Sequence, residues 1–352
     1  MADYPDISVV IPTFNQARTL GRVLRGFLAQ HVPNVALEVV VVDDGSTDET
    51  EEVVAMVMGS GCAPLTYIRQ ENKGAAAARN VGITHARAPV ILLCDGDVIP
   101  APGMVEAHAW FHRQHPCLTH LALGRVEMAA ELAHPGQVRQ FETKLPFTGE
   151  KCVQIPWHFA RGSNFSAKKE FLMLAGGFDP KMHSAAEDTE LAFRLQKRGA
   201  RLFFVPLAVG IHYHPMADEV SYLSKARTYG VSLAYWYGKD PDARAFITSH
   251  YGLQTSQTGW RRTVRHFLHG LVFNSSSEAA WMRLARWAAT HWYGAADWMR
   301  RQVYRACYRR AFCEEMENAP RVRNMSEPAG SWASVVRIVS NPAMRCLCRV
   351  RT

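Results

Sequence analysis

The chain has 352 residues, of which 48% are hydrophobic and 20% are charged, and its formal net charge is +8. This composition excludes an intrinsically disordered chain, a collagen-like repeat and a small disulfide-stapled scaffold, while the length favours two domains. A basic balance indicates an acidic partner: phosphates, nucleic acid or an anionic membrane surface.

The basic surplus lies in the last third of the chain. Residues 241–352 hold 17 Arg, no Lys and 7 acidic residues, a net charge of +10, together with six of the nine Trp. Residues 1–240 carry a net charge of −2. We therefore predict a main domain over 1–240, with halves of about 5–115 and 116–240, and a separate basic helical extension over 241–352.

Short apolar strands alternate with amphipathic helices in the first part of the chain. Strands are predicted at Ile7–Ile11, Glu38–Val42, Leu65–Ile68 and Val90–Cys94, and helices at Ala17–Ala29, Thr47–Val57, Gly74–His85 and Pro102–Gln114. This alternation predicts an α/β fold: a Rossmann-like, mostly parallel sheet with helices on both faces.

The section 121–215 is less regular. Its sequence predicts a polar turn at 161–165, helices at Lys168–Ala175 and Ala186–Arg198, and a strand at Leu202–Val205.

The chain begins without a basic, apolar secretory signal, and no apolar run reaches 18 residues. These features predict a cytoplasmic protein without a transmembrane helix.

Polar side chains follow three of the predicted strands. They are Thr13 and Asn15, Asp43 and Asp44, and Asp95 and Asp97. Parallel strands end at one edge of a sheet, and ligands bind outside that edge. The alternative is that these are ordinary turn residues, since Asp, Asn and Gly are frequent in turns.

Three groups of residues have types suited to metal or acid–base chemistry. Asp95 and Asp97, separated by one Gly, are hard oxygen ligands suited to Mg²⁺ or Mn²⁺. Glu187-Asp188 begins a predicted helix, where the pair could be a general base or could compensate the helix dipole. His212 or His214 could complete a metal shell, or these histidines could be structural. No P-loop or G-x-G-x-x-G motif is present, which argues against a P-loop kinase or a dinucleotide oxidoreductase.

In chain order, these motifs resemble those of the family 2 glycosyltransferases, which have a GT-A fold. The resemblance spans about residues 5–215, and it is carried by Ser8–Asn15, Val41–Asp48, Asn72–Gly82, Asp95–Asp97, Gly176–Asp179 and Glu187–Leu195. It implies a metal-dependent, inverting enzyme that moves a sugar from a nucleoside diphosphate sugar, with UDP as the expected nucleotide. The acceptor would be a hydroxyl of a cell-surface glycan or glycolipid.

The resemblance also implies roles for individual residues. The donor would be bound by Pro12, Thr13, Asn15, Asp43, Asp44, Lys73, Gly74, Arg79, Asp95 and Asp97. Asp188 would be the general base with Glu187 beside it, and Asp97 and His212 would hold Mn²⁺ or Mg²⁺. Gly162 and Asn164 would border the acceptor site. Two alternatives stay open: a catalytically silent GT-A scaffold and a nucleotidyltransferase.

The basic extension contains an amphipathic pattern within 260–315. One helical face would carry Trp281, Leu284, Ala285, Ala288, Trp292, Ala295, Met299 and Val303, with Arg283, Arg286 and Arg301 largely opposite. This pattern predicts a helix lying on anionic lipid at the inner face of a membrane. The alternative is a helix packed on the main domain or on a partner subunit. Nucleic acid is disfavoured because no recognition motif accompanies the arginines.

Overall fold

Two compact units make up the protein. The structure, a computed structural model, describes residues 5–30, 35–59, 64–132, 149, 151–182, 185–213, 219–253, 272–289 and 292–318. The described residues up to 213 belong to the first unit, and those from 219 belong to the second. The predicted boundary at residue 240 therefore falls later than the structural one, because the helix over 219–239 packs against a helix of the second unit.

One mixed sheet runs through the first unit. Its strands in the described residues are β1 (Ile7–Thr13), β2 (Leu37–Asp43), β3 (Leu65–Arg69), β4 (Val90–Cys94), β5 (Val98–Pro100), β6 (His120–Met128), β7 (Val153–Ile155), β8 (Asn164–Lys168) and β9 (Arg201–His212). The order is β3-β2-β1-β4-β8-β6-β9-β5, and β7 also pairs with β9. Strands β3, β2, β1 and β4 are parallel, β6 is parallel to β9, and the remaining pairs are antiparallel.

Helices cover both faces of this sheet, as predicted. They are α1 (Ala17–Leu28), α2 (Thr50–Met58), α3 (Ala75–His85), α4 (Met104–Gln114), α5 (Lys169–Leu174) and α6 (Glu187–Lys197). Successive side chains of a strand point to opposite faces. Val9 accordingly packs in a core with α1, α2 and α4, whereas Val10 packs in another with α3, α5 and α6. Burial on both faces explains why the strands read as continuous apolar runs.

The middle of the chain differs from its prediction. Strand β8 begins at Asn164, where a polar turn was expected, and β6 was not predicted at all. Strand β9 extends from the expected four residues to His212. Buried polar residues caused the error: Asn164 and Ser166 of β8 are fully buried because hydrogen bonds within the protein satisfy them.

The second unit is helical in its described part, which confirms the predicted helical extension. It contains α7 (Glu219–Lys239), α8 (Arg244–His250), α9 (Glu278–Ala289) and α10 (Tyr293–Asn318), and α10 packs against both α7 and α9. Across the residues that the structure describes, none of the helices combines the length and apolar character needed to cross a membrane.

The predicted single apolar face of 281–303 is wrong. Trp292, which lies between α9 and α10, is not helical, so these are two separate helices with separate faces. Ala285, Ala288 and Val303 are buried, whereas Leu284 and Trp292 are exposed. The apolar residues therefore divide between the core of the second unit and its surface.

Candidate active site

The polar residues after β1, β2 and β4 meet at one edge of the sheet, as expected for parallel strands. Thr13 is paired with Asp43 in the β1–β2 register, and the Asp44 N–H donates to the Thr13 carbonyl at 2.9 Å. The Thr19 hydroxyl donates to the Gly96 carbonyl at 3.1 Å, which ties α1 to the turn after β4. Pro12, inside β1, is buried.

Asp43 is buried completely at the end of β2. Its Oδ2 accepts from the Tyr67 hydroxyl at 2.6 Å, and its Oδ1 accepts from the Ser46 N–H at 2.8 Å. Arg69 Nη1 lies 3.6 Å from Asp43 Oδ2 and is itself half-exposed. Asp43 thus orders the surrounding loops, and Tyr67 and Arg69 present their side chains nearer to solvent.

Asp44 organises the loop that leads into α3. Its Oδ1 accepts from Gln70 Nε2 at 2.6 Å and from the Lys73 N–H at 2.9 Å, and its Oδ2 accepts from the Gly74 N–H at 2.7 Å. Gly74 has φ of 87°, a conformation that favours glycine. The Lys73 side chain is exposed at this edge. The carboxylate therefore fixes the backbone from which Lys73 reaches solvent.

Asn15 connects the loops after β1 and β2. Its backbone has φ of 53°, its N–H donates to Ser46 Oγ at 2.9 Å, and its Oδ1 accepts from the Thr47 N–H at 2.8 Å. Asparagine tolerates this left-handed conformation better than most residues. The exposed Asn15 side chain is consequently held by the loop beside it.

Arg79 holds three acidic residues together at the centre of the edge. Its guanidinium lies 2.9 Å from Asp95 Oδ1 and 2.8 Å from Glu187 Oε1, and Asp188 Oδ1 is 3.8 Å away. Arg79 and Glu187 are almost fully buried, whereas the Asp188 side chain is 21% exposed. Helix α3 thus supplies the cation, and β4 and the first turn of α6 supply the carboxylates.

The Gly176–Asp179 turn packs against this cluster through Phe178. Gly177 has φ of 66°. Two hydrogen bonds of 2.8 Å hold the turn: Asn80 Nδ2 donates to the Phe178 carbonyl, and Asn80 Oδ1 accepts from the Phe178 N–H. The Phe178 ring centroid lies 5.3 Å from the Arg79 guanidinium carbon. The turn is therefore a packing support for Arg79.

Electrostatics sets the charge states of the cluster. Burial raises the pKa of Glu187 to about 7, with a contribution from Asp188, while Arg79 opposes the shift. Burial lowers the pKa of Arg79, but the charges of Asp188, Asp95 and Glu187 outweigh it and raise that pKa above its ordinary value. Arg79 is therefore a permanent cation that balances the carboxylates.

The start of α6 has an unusual backbone. Ala186, immediately before Glu187, has φ of 62°, a left-handed conformation that costs a non-glycine residue about 1–3 kcal/mol. It turns the chain so that Glu187 and Asp188 begin the helix at the sheet edge. Strain of this kind persists where the surroundings fix the geometry, which is common at functional sites.

Asp97 and His212 face one another at the other end of the edge. Strand β5 pairs Val98 with His212, and the Tyr213 N–H donates to the Asp97 carbonyl at 2.7 Å. His212 Nε2 lies 3.5 Å from Asp97 Oδ2. Among the described residues, no group of three or more His, Cys, Asp or Glu side chains could hold a metal ion. His214, the other candidate of this segment, lies outside the described residues.

The two predicted acceptor-side residues have different environments. Gly162 packs directly on the cluster, because a Cβ there would lie 2.8 Å from Asp188 Oδ1. Asn164 is completely buried: its Oδ1 is 2.7 Å from His108 Nε2, and its Nδ2 donates to the Arg125 and Ala208 carbonyls. All of its polar atoms are engaged inside the protein, so the structure does not bring Asn164 to the exposed edge as expected.

Sequence reasoning missed several residues that build the edge. Tyr67, Arg69 and Gln70 bind the side chains of Asp43 and Asp44, and Gln16 Oε1 lies 3.3 Å from Thr13 Oγ1. The parallel register that aligns the end of β3 with that of β2 could have placed Arg69 beside Asp43. Nothing in the local sequence distinguishes Gln16 or Gln70 from ordinary loop residues.

Known proteins resemble this chain in sequence and in fold. Residues 8–173 match the family model described as glycosyl transferase family 2. The pre-mycofactocin glycosyltransferase of Mycobacterium tuberculosis is 28% identical over 246 residues, which cover 68% of this chain and 49% of that protein. This chain thus spans about half the length of that curated relative.

Solved structures share the fold at low sequence identity. A mannosyltransferase from Pyrobaculum calidifontis, in complex with GDP-Man and Mn²⁺, is 21% identical with a TM-score of 0.55, over 87% of this chain and 86% of its own. TarS 1-349 of S. aureus, in complex with UDP, is 17% identical with a TM-score of 0.51, over 92% and 94%. Residues 8–173 thus match glycosyl transferase family 2, and the fold of the unit that contains them is GT-A.

Proposed function

We propose that this protein is an inverting glycosyltransferase that moves a sugar from a nucleoside diphosphate sugar to an acceptor hydroxyl. The observation that carries the proposal is the acidic cluster around Arg79, in which a partly exposed Asp188 lies beside a buried, compensated Glu187. A partly exposed carboxylate can take a proton from an incoming hydroxyl, while the buried residues hold it in place.

The proposed reaction uses this placement. Asp188 accepts the proton of the acceptor hydroxyl as that oxygen forms a bond to the anomeric carbon of the sugar. The bond between this carbon and the diphosphate oxygen breaks at the same time, and the nucleoside diphosphate leaves with the electron pair. A single displacement of this kind inverts the anomeric configuration. Arg79 keeps the cluster from accumulating negative charge, because it contacts both Glu187 and Asp95.

The donor would lie along the edge formed by the loops after β1, β2 and β4. Asp44 holds the backbone of Lys73 and Gly74, which leaves the Lys73 ammonium exposed for a phosphate. Asp43 and Thr13, with Tyr67 and Arg69 beside them, would border the nucleoside. The solved structures with this fold include complexes with UDP and with GDP-Man, which supports a nucleoside diphosphate donor. UDP is our proposed nucleotide.

Asp97 and His212 would hold Mn²⁺ or Mg²⁺. A carboxylate oxygen and an imidazole nitrogen 3.5 Å apart fit a shared cation, and such ions commonly take one or two protein ligands plus substrate phosphates. When bound, the ion would neutralise the charge that develops on the departing diphosphate. The Mn²⁺ in the mannosyltransferase complex supports this choice of cation.

A ligand screen tests the proposal. The melting temperature of the full chain would be measured with UDP-, GDP- and dTDP-linked sugars, each with and without Mn²⁺. A donor that binds the native state raises the melting temperature by mass action. We expect one class of nucleotide sugar to raise the melting temperature, and Mn²⁺ to enlarge this increase. With that donor, addition of a glycan or glycolipid acceptor should release the nucleoside diphosphate. A chain that binds no nucleotide sugar under any condition would contradict the proposal.

A further inference from the structure

The surface of α9 and α10 exposes large apolar side chains. Leu284 is 40% exposed, Trp287 57%, Trp292 62% and Trp298 48%. Three of these four are tryptophans, a residue that is normally more buried than this. Exposed apolar side chains that stand singly need no explanation, but a contiguous group marks a site of interaction.

These side chains are contiguous. Trp281, Leu284 and Trp287 follow one another at intervals of three along α9, so they are neighbours on its surface. The Trp287 and Trp292 rings lie 5.6 Å apart. At the other end, Phe273 lies 4.7 Å from Trp281 and 6.1 Å from Trp298. We call Trp281, Leu284, Trp287, Trp292 and Trp298 the tryptophan strip.

Exposed arginines accompany the strip. Arg283 and Arg286 lie on the solvent side of α9, and Arg301 and Arg305 are exposed on α10. Residues 272–310 contain seven Arg, no Lys and only two acidic residues. One of these acids, Glu278, is 6% exposed and is bound by Arg310, so it does not offset the surface charge. The accessible face is therefore both aromatic and cationic.

We propose that the tryptophan strip binds the surface of a bilayer that contains anionic lipid. Trp281, Leu284 and Trp287 of the strip lie along α9, so this helix would lie parallel to the membrane plane. Tryptophan rings favour the boundary between headgroups and acyl chains, where one end is apolar and the other is hydrated. Arg283 and Arg286 would meet the headgroup phosphates. The inference does not depend on the proposed sugar transfer, because a catalytically inactive chain would still bind.

Two other occupants fit this face less well. A second copy of the chain, packed by two-fold symmetry, would bring the same arginines close to one another, and like charges in an interface oppose association. A nucleic acid would use the arginines, but stacked bases need aromatic faces along an extended groove, whereas the rings of the strip lie on α9, on α10 and at Trp292 between them. The test therefore includes both as outcomes.

Vesicle flotation of the full chain tests the proposal. The chain would be mixed with vesicles of phosphatidylcholine alone or with about 30% phosphatidylglycerol, an anionic lipid. We expect binding only to the anionic vesicles, with a blue shift of tryptophan fluorescence. R283E/R286E should weaken binding at least tenfold, since each arginine near an anionic surface changes the affinity about fivefold. W287S/W292S should also weaken binding at least tenfold, because it removes two rings from the boundary between headgroups and acyl chains.

Matched variants in the first unit serve as controls. Trp110→Ser removes a tryptophan that is 51% exposed on α4, and R198E/R201E reverses two exposed charges. Both should bind vesicles like the wild type, and circular dichroism would verify that every variant is folded. If W287S/W292S and R283E/R286E bind anionic vesicles as well as the wild type does, the proposal is overturned. Dimerisation through the strip, or capture of a single-stranded oligonucleotide with no vesicle binding, overturns it as well.

Discussion

Among single residues, Arg79 and Asp188 divide the work of the acidic cluster. Arg79 is buried, is a permanent cation, and contacts Asp95 and Glu187 through separate nitrogens. Removing it would leave buried carboxylates without a counter-charge, so substitution there would mix structural damage with any effect on catalysis. The Asp188 side chain is more exposed as a whole, and its buried Oδ1 accepts no hydrogen bond. It is therefore the residue at which the chemistry can be tested without dismantling the cluster.

Asp188→Asn should lower sugar transfer at least a thousandfold, because the amide cannot accept the proton of the acceptor hydroxyl. Donor affinity should change less than about threefold, since Asp188 does not bind the donor. Initial rates of nucleoside diphosphate release and donor titration by thermal shift would measure the two quantities. Glu106→Gln, an exposed change on α4, is the control. Near wild-type turnover in Asp188→Asn would exclude this residue as the base.

Glu187 gives the protein a pH-dependent stability. Burial raises its pKa to about 7 from an ordinary value of 4.5, so the folded state binds this proton more tightly than the unfolded state does. The associated stabilisation is complete below about pH 4.5 and is lost as pH rises through 7. Wild type should therefore lose up to about 3 kcal/mol relative to Glu187→Gln between pH 5 and 8. Urea unfolding at each pH, without donor, measures this difference, and a pH-independent difference would contradict the assignment.

At the scale of elements, the close approach of α3 to the sheet positions the cluster. Gly82 faces β1, and a Cβ there would lie only 2.3 Å from Val10 Cγ1 and 3.3 Å from Val42 Cγ2. The absence of a side chain lets α3 sit directly on the strands. Arg79, one turn earlier on this helix, consequently reaches Asp95 at the end of β4.

Gly82→Ala should therefore destabilise the protein, although alanine is the better helix former. The intrinsic gain is about 1 kcal/mol, whereas forcing the helix away from a packed core costs about 1–3 kcal/mol or more. Donor affinity should fall in parallel because Arg79 moves with the helix. Gly59→Ala, with a negative φ and no neighbour closer than 3.7 Å, should leave the midpoint of urea unfolding almost unchanged. Equal midpoints for the two variants would refute this account of the packing.

The elements that could be predicted from the sequence are those in which the local sequence pattern indicates a single type of secondary structure. Strands β1, β2 and β4 are apolar on both faces, α1 has apolar residues at helical spacing, α3 is rich in alanine and α6 begins with acidic residues, so local pattern and global fold agree. Strand β8 was missed because Asn164 and Ser166 imitate a turn. Their burial depends on His108 and His112, which lie more than 50 positions away in the chain. The ring of contacts around Arg79 was equally hidden, since it joins α3, β4 and α6.

At the scale of the whole molecule, charge separates the two functions proposed for the protein. Residues 1–240 have a net charge of −2, so an anionic donor gains little from long-range attraction and depends on placed groups such as Lys73. Residues 241–352 have a net charge of +10, and part of this charge lies on the exposed side of α9 and α10. We therefore expect the net positive charge of residues 241–352 to determine where the protein binds. The cluster around Arg79 and the donor-binding groups would determine what it transfers.

This separation predicts different responses to salt. Raising NaCl from about 50 to about 500 mM shortens the Debye length from about 14 to about 4 Å, which screens exposed arginines more than groups in a cleft. Vesicle binding should fall at least tenfold, whereas the donor-induced shift in melting temperature should be largely retained. In R283E/R286E the loss of vesicle binding on adding salt should be smaller than in the wild type, because two attractive charges have been replaced by repulsive ones. Equal salt sensitivity of donor and vesicle binding in the wild type would show that the two depend on the same charges, and the division of roles between the units would have to be abandoned.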